Sequence, residues 1–330
     1  MQEHKNLLND TRDIALNHSG HFLNKFFEMG NGEPGISRSA SFMLASKAKD
    51  YFQLIKFTLS FMVVFSCVVC YLLAPNVKFD LLSVLTLFFA GMLITGSANA
   101  INQAVEKDTD ALMKRTSSRP VASGRMSANE AWTFAVITGF IGVSIMWYWF
   151  NLESALLGLG SLVLYAFVYT PLKKINSISV LVGAFPGALP CLIGWVAGTG
   201  QFTAGGWILF SIQFLWQFPH FWAIAWVAHK DYSLAGFKLL PSKQGPTKFT
   251  AVQTVMYSMM MIPVGMLPYY FGISGITSMW ILMVCNFWMV YVSIMLYVKM
   301  DVPAARKVMF SSYFYLMIVL LAMLFDKGHG

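Results

Sequence analysis

Nine long apolar segments are the feature of this sequence that most restricts its fold. A helix needs roughly 20 apolar residues to cross the ~30 Å hydrocarbon core of a bilayer, and most of these segments approach or exceed that length. Because lipid offers no partner to backbone polar groups, such segments cross as helices. We therefore predict an all-α polytopic membrane protein with nine transmembrane helices. The predicted spans are Phe57–Leu73, Leu81–Asn102, Ala131–Phe150, Ala155–Thr170, Ile178–Ala197, Trp207–Ala228, Phe249–Phe271, Met279–Val298 and Val308–Phe325.

The distribution of positive charge predicts how these helices are oriented. If the N terminus lies inside, all of the 23 Lys and Arg residues except Lys78 and Lys327 fall in cytoplasmic segments. The positive-inside rule then places the N terminus in the cytoplasm and the C terminus outside. The net charge of +8 is thus explained by topology. It does not indicate a nucleic-acid partner, since no soluble basic domain with interleaved aromatic residues is present.

Residues 1–50 are polar and precede the first apolar segment. They are too polar for a secretory signal peptide, and acids such as Glu3, Asp10 and Asp13 are unusual in a mitochondrial transit peptide. We predict a cytoplasmic tail with some helix near Asp13–Phe27. The inner membrane of a bacterium is the predicted location.

A cluster of charged residues follows the second span. Asn102, Glu106 and Asp110 are spaced i, i+4, i+8, so their side chains share one helical face. Mg²⁺ prefers carboxylate oxygens together with phosphate oxygens, and ionisable groups at membrane depth indicate function. We therefore predict that Glu106 and Asp110 hold Mg²⁺. Asp108 lies off this face and could serve a second metal or a basic neighbour; the alternative for the whole cluster is a solvated helix end.

Basic residues next to this cluster suggest a phosphate-binding role. Lys114, Arg115 and Arg119 follow within one or two turns, and the guanidinium group presents a planar fork suited to phosphate oxygens. Arg115 and Arg119 are again spaced i, i+4, so both could reach one diphosphate. Lys173 and Lys174 close the fourth span, where they could bind phosphate or serve as ordinary positive-inside anchors.

The sixth span ends in an aromatic segment. His220 lies among apolar and aromatic residues, and the nearby Gln217 and Asp231 favour a functional role for it over simple packing. Trp216 belongs to a cluster of tryptophans that fits either an interfacial belt or a flat aromatic ligand. Candidate substrate contacts in this segment are Trp216, Gln217, His220, Lys230, Asp231 and Tyr232.

The fifth span is rich in helix breakers. Two prolines and three glycines between Gly183 and Trp195 predict a kinked helix beside a pocket. Gly183 and Gly187 also form a G-x-x-x-G packing signal. Cys67 and Cys70, inside the first span, have no His or Cys neighbour, so we expect them to pack in the core and not to bind metal.

Together these residues resemble the intramembrane UbiA-type prenyltransferase superfamily. In its N-D-x-x-D-x-x-x-D motif, Asn102, Glu106 and Asp110 match the Asn and the two later acids, while Gln103 replaces the first Asp. Of the usual second acidic motif only Asp231 is kept, and His220 stands where the leading Asp would be.

These departures match one branch of the superfamily. The runs N-x-x-x-E-x-D-x-D-x-x-M-x-R-T-x-x-R-P and W-Q-x-P-H-F-W-A closely resemble the protohaem IX farnesyltransferases. The resemblance implies a helical bundle around a central cavity in residues 51–330, with Mg²⁺ at Glu106, Asp110 and Asp231. It implies transfer of the farnesyl group of farnesyl diphosphate to a vinyl group of haem B, giving haem O. Hand-over of the product to a haem A synthase or to terminal oxidase assembly would follow.

Two other functions remain open. A related prenyltransferase could act on a quinone precursor, although that branch has an Asp-rich second motif that this chain lacks. A secondary transporter is the alternative from a different class, but its ionisable residues would be expected near the midplane and not at one face. Since imidazole is a poor Mg²⁺ ligand, we expect His220 to contact the porphyrin and not the diphosphate.

Overall fold

The computed structural model describes residues 36–327 except residue 243, with side chains from residue 45 onward. The chain divides into two units, Met1–Lys49 and Asp50–Gly330, and apart from the first part of the helix Ile36–Leu54 the features described below belong to the second. Most of the predicted cytoplasmic tail, including the helix expected near Asp13–Phe27, lies outside the described residues. The predicted tail therefore stays a prediction.

The described residues form helices joined by short loops, with one isolated β-bridge between Ser274 and Lys327. The predicted all-helical architecture is confirmed for this part of the chain. The α-helices are α1 (Ile36–Leu54), α2 (Phe57–Leu73), α3 (Leu81–Val105), α4 (Lys107–Ala111), α5 (Ala128–Trp149), α6 (Leu152–Val163), α7 (Thr170–Ile175), α8 (Ser179–Thr199), α9 (Ala204–Val227), α10 (His229–Leu234), α11 (Lys248–Tyr270), α12 (Ile276–Lys299) and α13 (Val302–Phe325).

Side-chain caps explain where several helices begin. The carboxylate of Asp80 accepts a hydrogen bond from the Ser83 amide at 2.8 Å before α3, and Ser127 accepts one from Glu130 at 3.0 Å before α5. Asp301 does the same for α13. Such caps satisfy amide groups that have no partner within the helix. The polar residues between the apolar runs therefore set the helix starts.

Seven helices are long and apolar enough to cross a membrane. The helical segments Ala45–Leu54 and Phe57–Leu73 are bent by 53° relative to each other, and they give an eighth candidate if the pair is counted as one span. Helix α9 is a continuous helix of 24 residues but is not among these candidates. It carries the polar residues Gln213, Gln217 and His220. The described chain thus has seven or eight candidate spans; the count of nine and the orientation of the termini stay predictions.

Small residues allow α8 to pack closely against its neighbours. A Cβ atom at Gly194 would collide with the backbone carbonyl of Cys67 in α2, and one at Gly187 would collide with the amide of Gln217 in α9. Close backbone approach through small residues is typical of membrane helices. The packing role predicted for the glycines is therefore confirmed. Helix α8 is continuous through Pro186 and Pro190.

The fourth predicted span is interrupted by a π-helical segment, Leu164–Tyr169, between α6 and α7. The Thr170 hydroxyl donates a hydrogen bond to the Tyr165 carbonyl at 2.8 Å where the segment ends. A π-helical turn changes the direction in which the following side chains project, and such turns are frequent at functional sites. Tyr165, Tyr169 and Lys173 all line the cavity described below.

The cysteines are free thiols. Cys67 and Cys70 are buried among apolar residues, as predicted for core packing. Cys191 is also buried, and its thiol lies 2.7 Å from the carboxamide oxygen of Gln213. Cysteine usage therefore indicates packing between helices.

Candidate active site

Three polar side chains at the end of α3 lie on the wall of one cavity. Asn102, Glu106 and Asp110 are buried and line a cavity of about 130 Å³. Helix α3 ends at Val105 and α4 begins at Lys107. Across this break, the backbone N–H of Glu106 donates a hydrogen bond to the Asn102 carbonyl at 2.9 Å, and that of Asp110 donates to the Glu106 carbonyl at 2.7 Å. The i, i+4 register is therefore carried across the break, as the spacing predicts.

Both carboxylate oxygens of Glu106 are held by neighbours. Oε1 lies 2.6 Å from the ammonium of Lys173, and Oε2 accepts a hydrogen bond from the amide of Asn102 at 2.8 Å. Lys56 in turn donates to the carboxamide oxygen of Asn102 at 2.9 Å. These contacts join α2, α3 and α7 through one polar network. Ion pairs and hydrogen bonds joined in this way hold buried charges in a fixed geometry.

Asp110 is paired with Arg119. One guanidinium nitrogen of Arg119 contacts the two carboxylate oxygens at 2.8 and 2.7 Å. The Asp110 side chain is 1% exposed and that of Arg119 is 24% exposed. Arg119 is thus the more accessible partner of the two.

The positions of Arg115 and Arg119 correct part of the sequence argument. Residues 112–126 form consecutive turns and not a helix, so the i, i+4 spacing does not place the two guanidiniums on one face. Both residues nevertheless line the cavity, because the turns fold back over the end of α3. Arg125 anchors this segment, because its guanidinium donates a hydrogen bond to the carboxylate of Asp50 at 2.9 Å.

The cavity has more cations than carboxylates on its wall. Its charged lining residues are Glu106, Asp110, Lys56, Arg115, Arg119 and Lys173. Positive charge concentrated in a cleft of low dielectric attracts anions. The arrangement therefore fits a ligand of several negative charges better than it fits a neutral one.

Aromatic rings complete the wall. Tyr165, Tyr169, Tyr232 and Phe237 line the cavity together with the charged groups. The guanidinium of Arg115 lies 4.3 Å from the centre of the Tyr232 ring, which is within the range of a cation–π contact. The cationic residues of the wall thus adjoin aromatic rings.

Several lining residues are not found by the sequence argument. Lys56 has a left-handed backbone conformation, with φ 48°, at the break before α2. An ionisable side chain at the head of an apolar span is the signal that could have identified it. Tyr165 and Tyr169 carry no such signal, since aromatic residues are common throughout these helices.

Other predicted site residues are not on this wall. Asp108, Lys114, Lys174 and Lys230 are exposed, and none of them, nor the half-buried Asp231, lines the cavity. Among the described residues no three His, Cys, Asp or Glu side chains are grouped closely enough to hold a metal. The predicted set of Glu106, Asp110 and Asp231 is therefore not assembled.

Trp216, Gln217 and His220 also lie off the cavity wall. The indole of Trp216 donates to the Ser312 carbonyl at 2.7 Å, and Gln217 donates to the Ala184 carbonyl at 3.0 Å. His220 contacts the hydroxyl of Ser312 at 2.8 Å. Two of the three thus join α9 to α13, and Gln217 joins it to α8.

A second cavity, of about 340 Å³, adjoins the first. Tyr232, Phe237 and Leu239 line both cavities. The amide of Lys238 donates to the Lys173 carbonyl at 2.7 Å. The segment after α10 therefore separates the two cavities and is tied to the end of α7.

Comparisons with known proteins identify the family of the chain. The sequence model of the UbiA prenyltransferase family matches residues 63–319. Protoheme IX farnesyltransferase of Cytophaga hutchinsonii is 45% identical over 284 residues, covering 86% of this chain and 99% of that protein. The protein of the same name in Flavobacterium psychrophilum is 41% identical over 286 residues, covering 84% and 94%.

Solved structures share the fold. Digeranylgeranylglyceryl phosphate synthase superposes with a TM-score of 0.72 at 23% identity, covering 85% of this chain and 98% of that one. A UbiA homologue from Archaeoglobus fulgidus bound to GPP and Mg²⁺ gives a TM-score of 0.61 at 15% identity, covering 83% and 99%. At these identities the likeness concerns the fold alone.

Proposed function

The chain belongs to the UbiA prenyltransferase family and is a prenyltransferase, and we propose that it farnesylates protohaem IX to give haem O. The donor is farnesyl diphosphate, and diphosphate is released. The observation that carries the proposal is the cavity wall on which Glu106 and Asp110 face four cationic side chains. The acceptor is inferred from the relatives at 45% and 41% identity, whose names specify protohaem IX.

The donor set of the wall fits Mg²⁺. Glu106, Asp110 and the carboxamide oxygen of Asn102 are hard oxygen donors, and Mg²⁺ usually takes one or two carboxylates with phosphate oxygens and water. Both carboxylates are held by the cations Lys173 and Arg119 at 2.6 and 2.7 Å. A diphosphate can take over these cations and free the carboxylates for metal. When bound, Mg²⁺ would neutralise charge on the departing diphosphate.

The cations of the wall have two tasks. Lys56, Arg115, Arg119 and Lys173 bind the diphosphate and orient its ester oxygen toward the apolar part of the cavity. They also stabilise the negative charge that develops as the bond between carbon and oxygen breaks.

The aromatic wall protects the reacting carbons. Breaking the carbon–oxygen bond leaves an allylic cation, and the vinyl double bond of the acceptor supplies the electron pair of the new carbon–carbon bond. This leaves a cation on the carbon beside the porphyrin ring, where water adds to give the hydroxyl group, and the proton that water loses passes to the released diphosphate. Tyr165, Tyr169 and Phe237 border the site of bond cleavage. Their rings exclude water from the allylic cation and stabilise it through cation–π contact.

The apolar helices identify a multi-pass membrane protein, and its proposed location is the bacterial inner membrane. The positive-inside count puts the loops that carry Glu106 and Lys173 on the cytoplasmic side. Farnesyl diphosphate would enter there, with its chain in the lipid-facing part of the bundle. The product would pass to a haem A synthase or to oxidase assembly.

Pigment extraction tests the proposal directly. Membranes of a strain that lacks haem O should contain haem O after this chain is expressed, and the purified protein should produce it from farnesyl diphosphate and haem B. A matched preparation carrying Asp110→Asn controls for endogenous activity. Formation of a prenylated hydroxybenzoate with no haem O would instead identify a quinone-pathway enzyme. Uptake of solute without any prenyl transfer would indicate a transporter.

A further inference from the structure

The protonation pattern of His220 follows from its neighbours. Its Nδ1 atom lies 2.8 Å from the hydroxyl oxygen of Ser312. That hydroxyl donates its proton to the Met309 carbonyl at 2.6 Å. A serine hydroxyl has one proton, so toward His220 it can only accept. Nδ1 of His220 therefore carries the hydrogen, and Nε2 of the neutral ring carries a lone pair.

The imidazole ring is held in a fixed orientation. Trp216 stacks on it with centroids 4.7 Å apart and an interplanar angle of 18°. Tyr313 meets it edge-on at 5.1 Å and 74°. Trp216 is itself anchored by its bond to the Ser312 carbonyl. Because Trp216 stacks on one ring face and Nδ1 is bonded to Ser312, the edge that carries Nε2 is the part left for a ligand.

Nε2 has no hydrogen-bond partner among the residues that the structure describes. Nε2 is not among the buried polar atoms that lack a partner, so it reaches the surface of the described residues and is open to a ligand. The hydrogen bond that His220 makes from α9 to α13 uses only Nδ1. An asparagine side chain could make the same bond. Helix packing alone therefore does not account for an imidazole at this position.

His220 lies next to the catalytic cavity although it is not part of its wall. Phe221, whose ring centroid lies 5.6 Å from that of the imidazole, packs against the apolar cluster that contains Phe237 and Leu239, two lining residues of that cavity. On the outer side, Phe310 and Tyr313 are 54% and 45% exposed and form an apolar, aromatic surface. A flat aromatic ligand placed against α9 and α13 would thus have its edge close to the diphosphate site.

We infer that Nε2 of His220 is an axial ligand of the iron of the tetrapyrrole substrate, and that Ser312 positions the ring. The inference rests on the proposed function, since it assigns how that acceptor is held. A neutral imidazole with a free Nε2 is a common iron ligand. The bond from Nδ1–H to Ser312 sets the tautomer and raises the basicity of Nε2, as carbonyl and carboxylate partners do for other metal-bound histidines.

The tautomer also excludes the alternative role of His220 as a hydrogen-bond donor to the substrate. Nε2 has no proton to give while Nδ1–H is engaged by Ser312. Ligation would fix the plane and the centre of the porphyrin, so that one vinyl group reaches the edge of the cavity near Tyr232. His220 would then act on the acceptor, and the Glu106 network on the donor.

Spectroscopic titration of the full-length protein in lipid nanodiscs tests the assignment. Three probes are used: ferric haem B, iron-free protoporphyrin IX and a non-hydrolysable farnesyl diphosphate analogue. The wild-type protein should give the Soret band of imidazole-ligated haem. In His220→Ala that band should be lost and haem affinity should fall by at least about 10-fold, while the affinities for the other two probes stay unchanged. Added imidazole should restore the band in His220→Ala.

Two further variants separate ligation from packing. His220→Asn keeps a hydrogen bond to Ser312 without an imidazole, and it should also lose the Soret signature. Ser312→Ala keeps the imidazole but not its orientation, and it should keep the signature with affinity for haem weaker by about 10-fold or more.

An unchanged Soret band in both His220 variants would overturn the assignment, as would an equal loss of affinity for haem and for protoporphyrin IX. If His220→Ala does not fold, which loss of binding of the farnesyl diphosphate analogue would show, the Soret band of His220→Asn decides whether His220 ligates iron. Failure of the proposed function would appear differently: the wild-type protein would bind haem through His220 and form no haem O.

Discussion

Replacing the carboxylates of the α3–α4 segment one at a time tests the site most directly. Glu106→Gln and Asp110→Asn keep the shape of the side chain and remove one charge from the cavity wall. Asp108→Asn makes the same chemical change on the same segment, at an exposed position outside the cavity. The three variants therefore differ in whether the lost charge faces the cavity.

The expected size of the effect follows from burial and pairing. Glu106 lies 2.6 Å from Lys173 with side chains 5% and 9% exposed, and Asp110 lies 2.7 Å from Arg119. Removing one partner of a buried pair typically costs about 3–5 kcal/mol, because the remaining charge is left unpaired. Loss of about 3–4 kcal/mol of transition-state stabilisation lowers the rate by about 10²- to 10³-fold. The change at exposed Asp108 should stay within about threefold.

The assay is the initial rate of haem O formation by protein reconstituted in lipid, measured over a range of Mg²⁺ concentrations. Size-exclusion chromatography confirms that each variant is folded, and binding of a farnesyl diphosphate analogue reports on the donor site. Near-wild-type rates for Glu106→Gln and Asp110→Asn at ordinary Mg²⁺ would refute the reasoning. An equally large loss of rate in Asp108→Asn would show that the effect does not depend on whether the carboxylate lines the cavity.

Three further predictions rest on other parts of the structure. Lys173→Met should raise the KM for farnesyl diphosphate about 10- to 100-fold by removing a charge-assisted hydrogen bond, whereas Lys174→Met, exposed and outside the cavity, should not. Gly194→Ala should destabilise the protein by about 1–3 kcal/mol in thermal unfolding, because its Cβ would meet the backbone of α2. Gly160→Ala, where a Cβ meets nothing within 4 Å, is the control and should be neutral or slightly stabilising. A cysteine in place of Ser123 should react with an impermeant thiol reagent in inside-out vesicles only, and labelling in intact cells would reverse the proposed orientation.

Patterns within single helices are what sequence reasoning predicts well here. The apolar runs correspond closely to helices of the structure, and Leu81–Asn102 lies within α3, which ends at Val105. The spacing of Asn102, Glu106 and Asp110 places all three on one cavity wall. These features depend on the 3.6-residue period and on hydrophobicity, both of which are local properties of the chain. The sixth predicted segment, Trp207–Ala228, also matches a helix, α9, although this helix is not among the candidate spans.

Contacts between helices could not be predicted in this way. Lys56 meets Asn102 across 46 positions of sequence, and Thr170 meets Asn102 across 68. No periodicity links such residues, because their separation depends on how whole helices pack. The same reason explains why Lys173 could be read equally well as an anchor or as a phosphate ligand until its contact with Glu106 was known.

Breaks in the helices mark the limit of sequence reasoning at the site. The resemblance placed Asp231 with Glu106 and Asp110, but Asp231 lies on α10, after the break that follows α9, and does not line the cavity. Arg115 and Arg119 reach the cavity through turns and not through helical spacing. Hydrophobicity and charge along the chain thus determine the class of fold, the predicted orientation and the carboxylate face of α3. Which cations meet those carboxylates was decided only by tertiary packing, since the contacts depend on the crossing of helices and on loop geometry that local spacing does not encode.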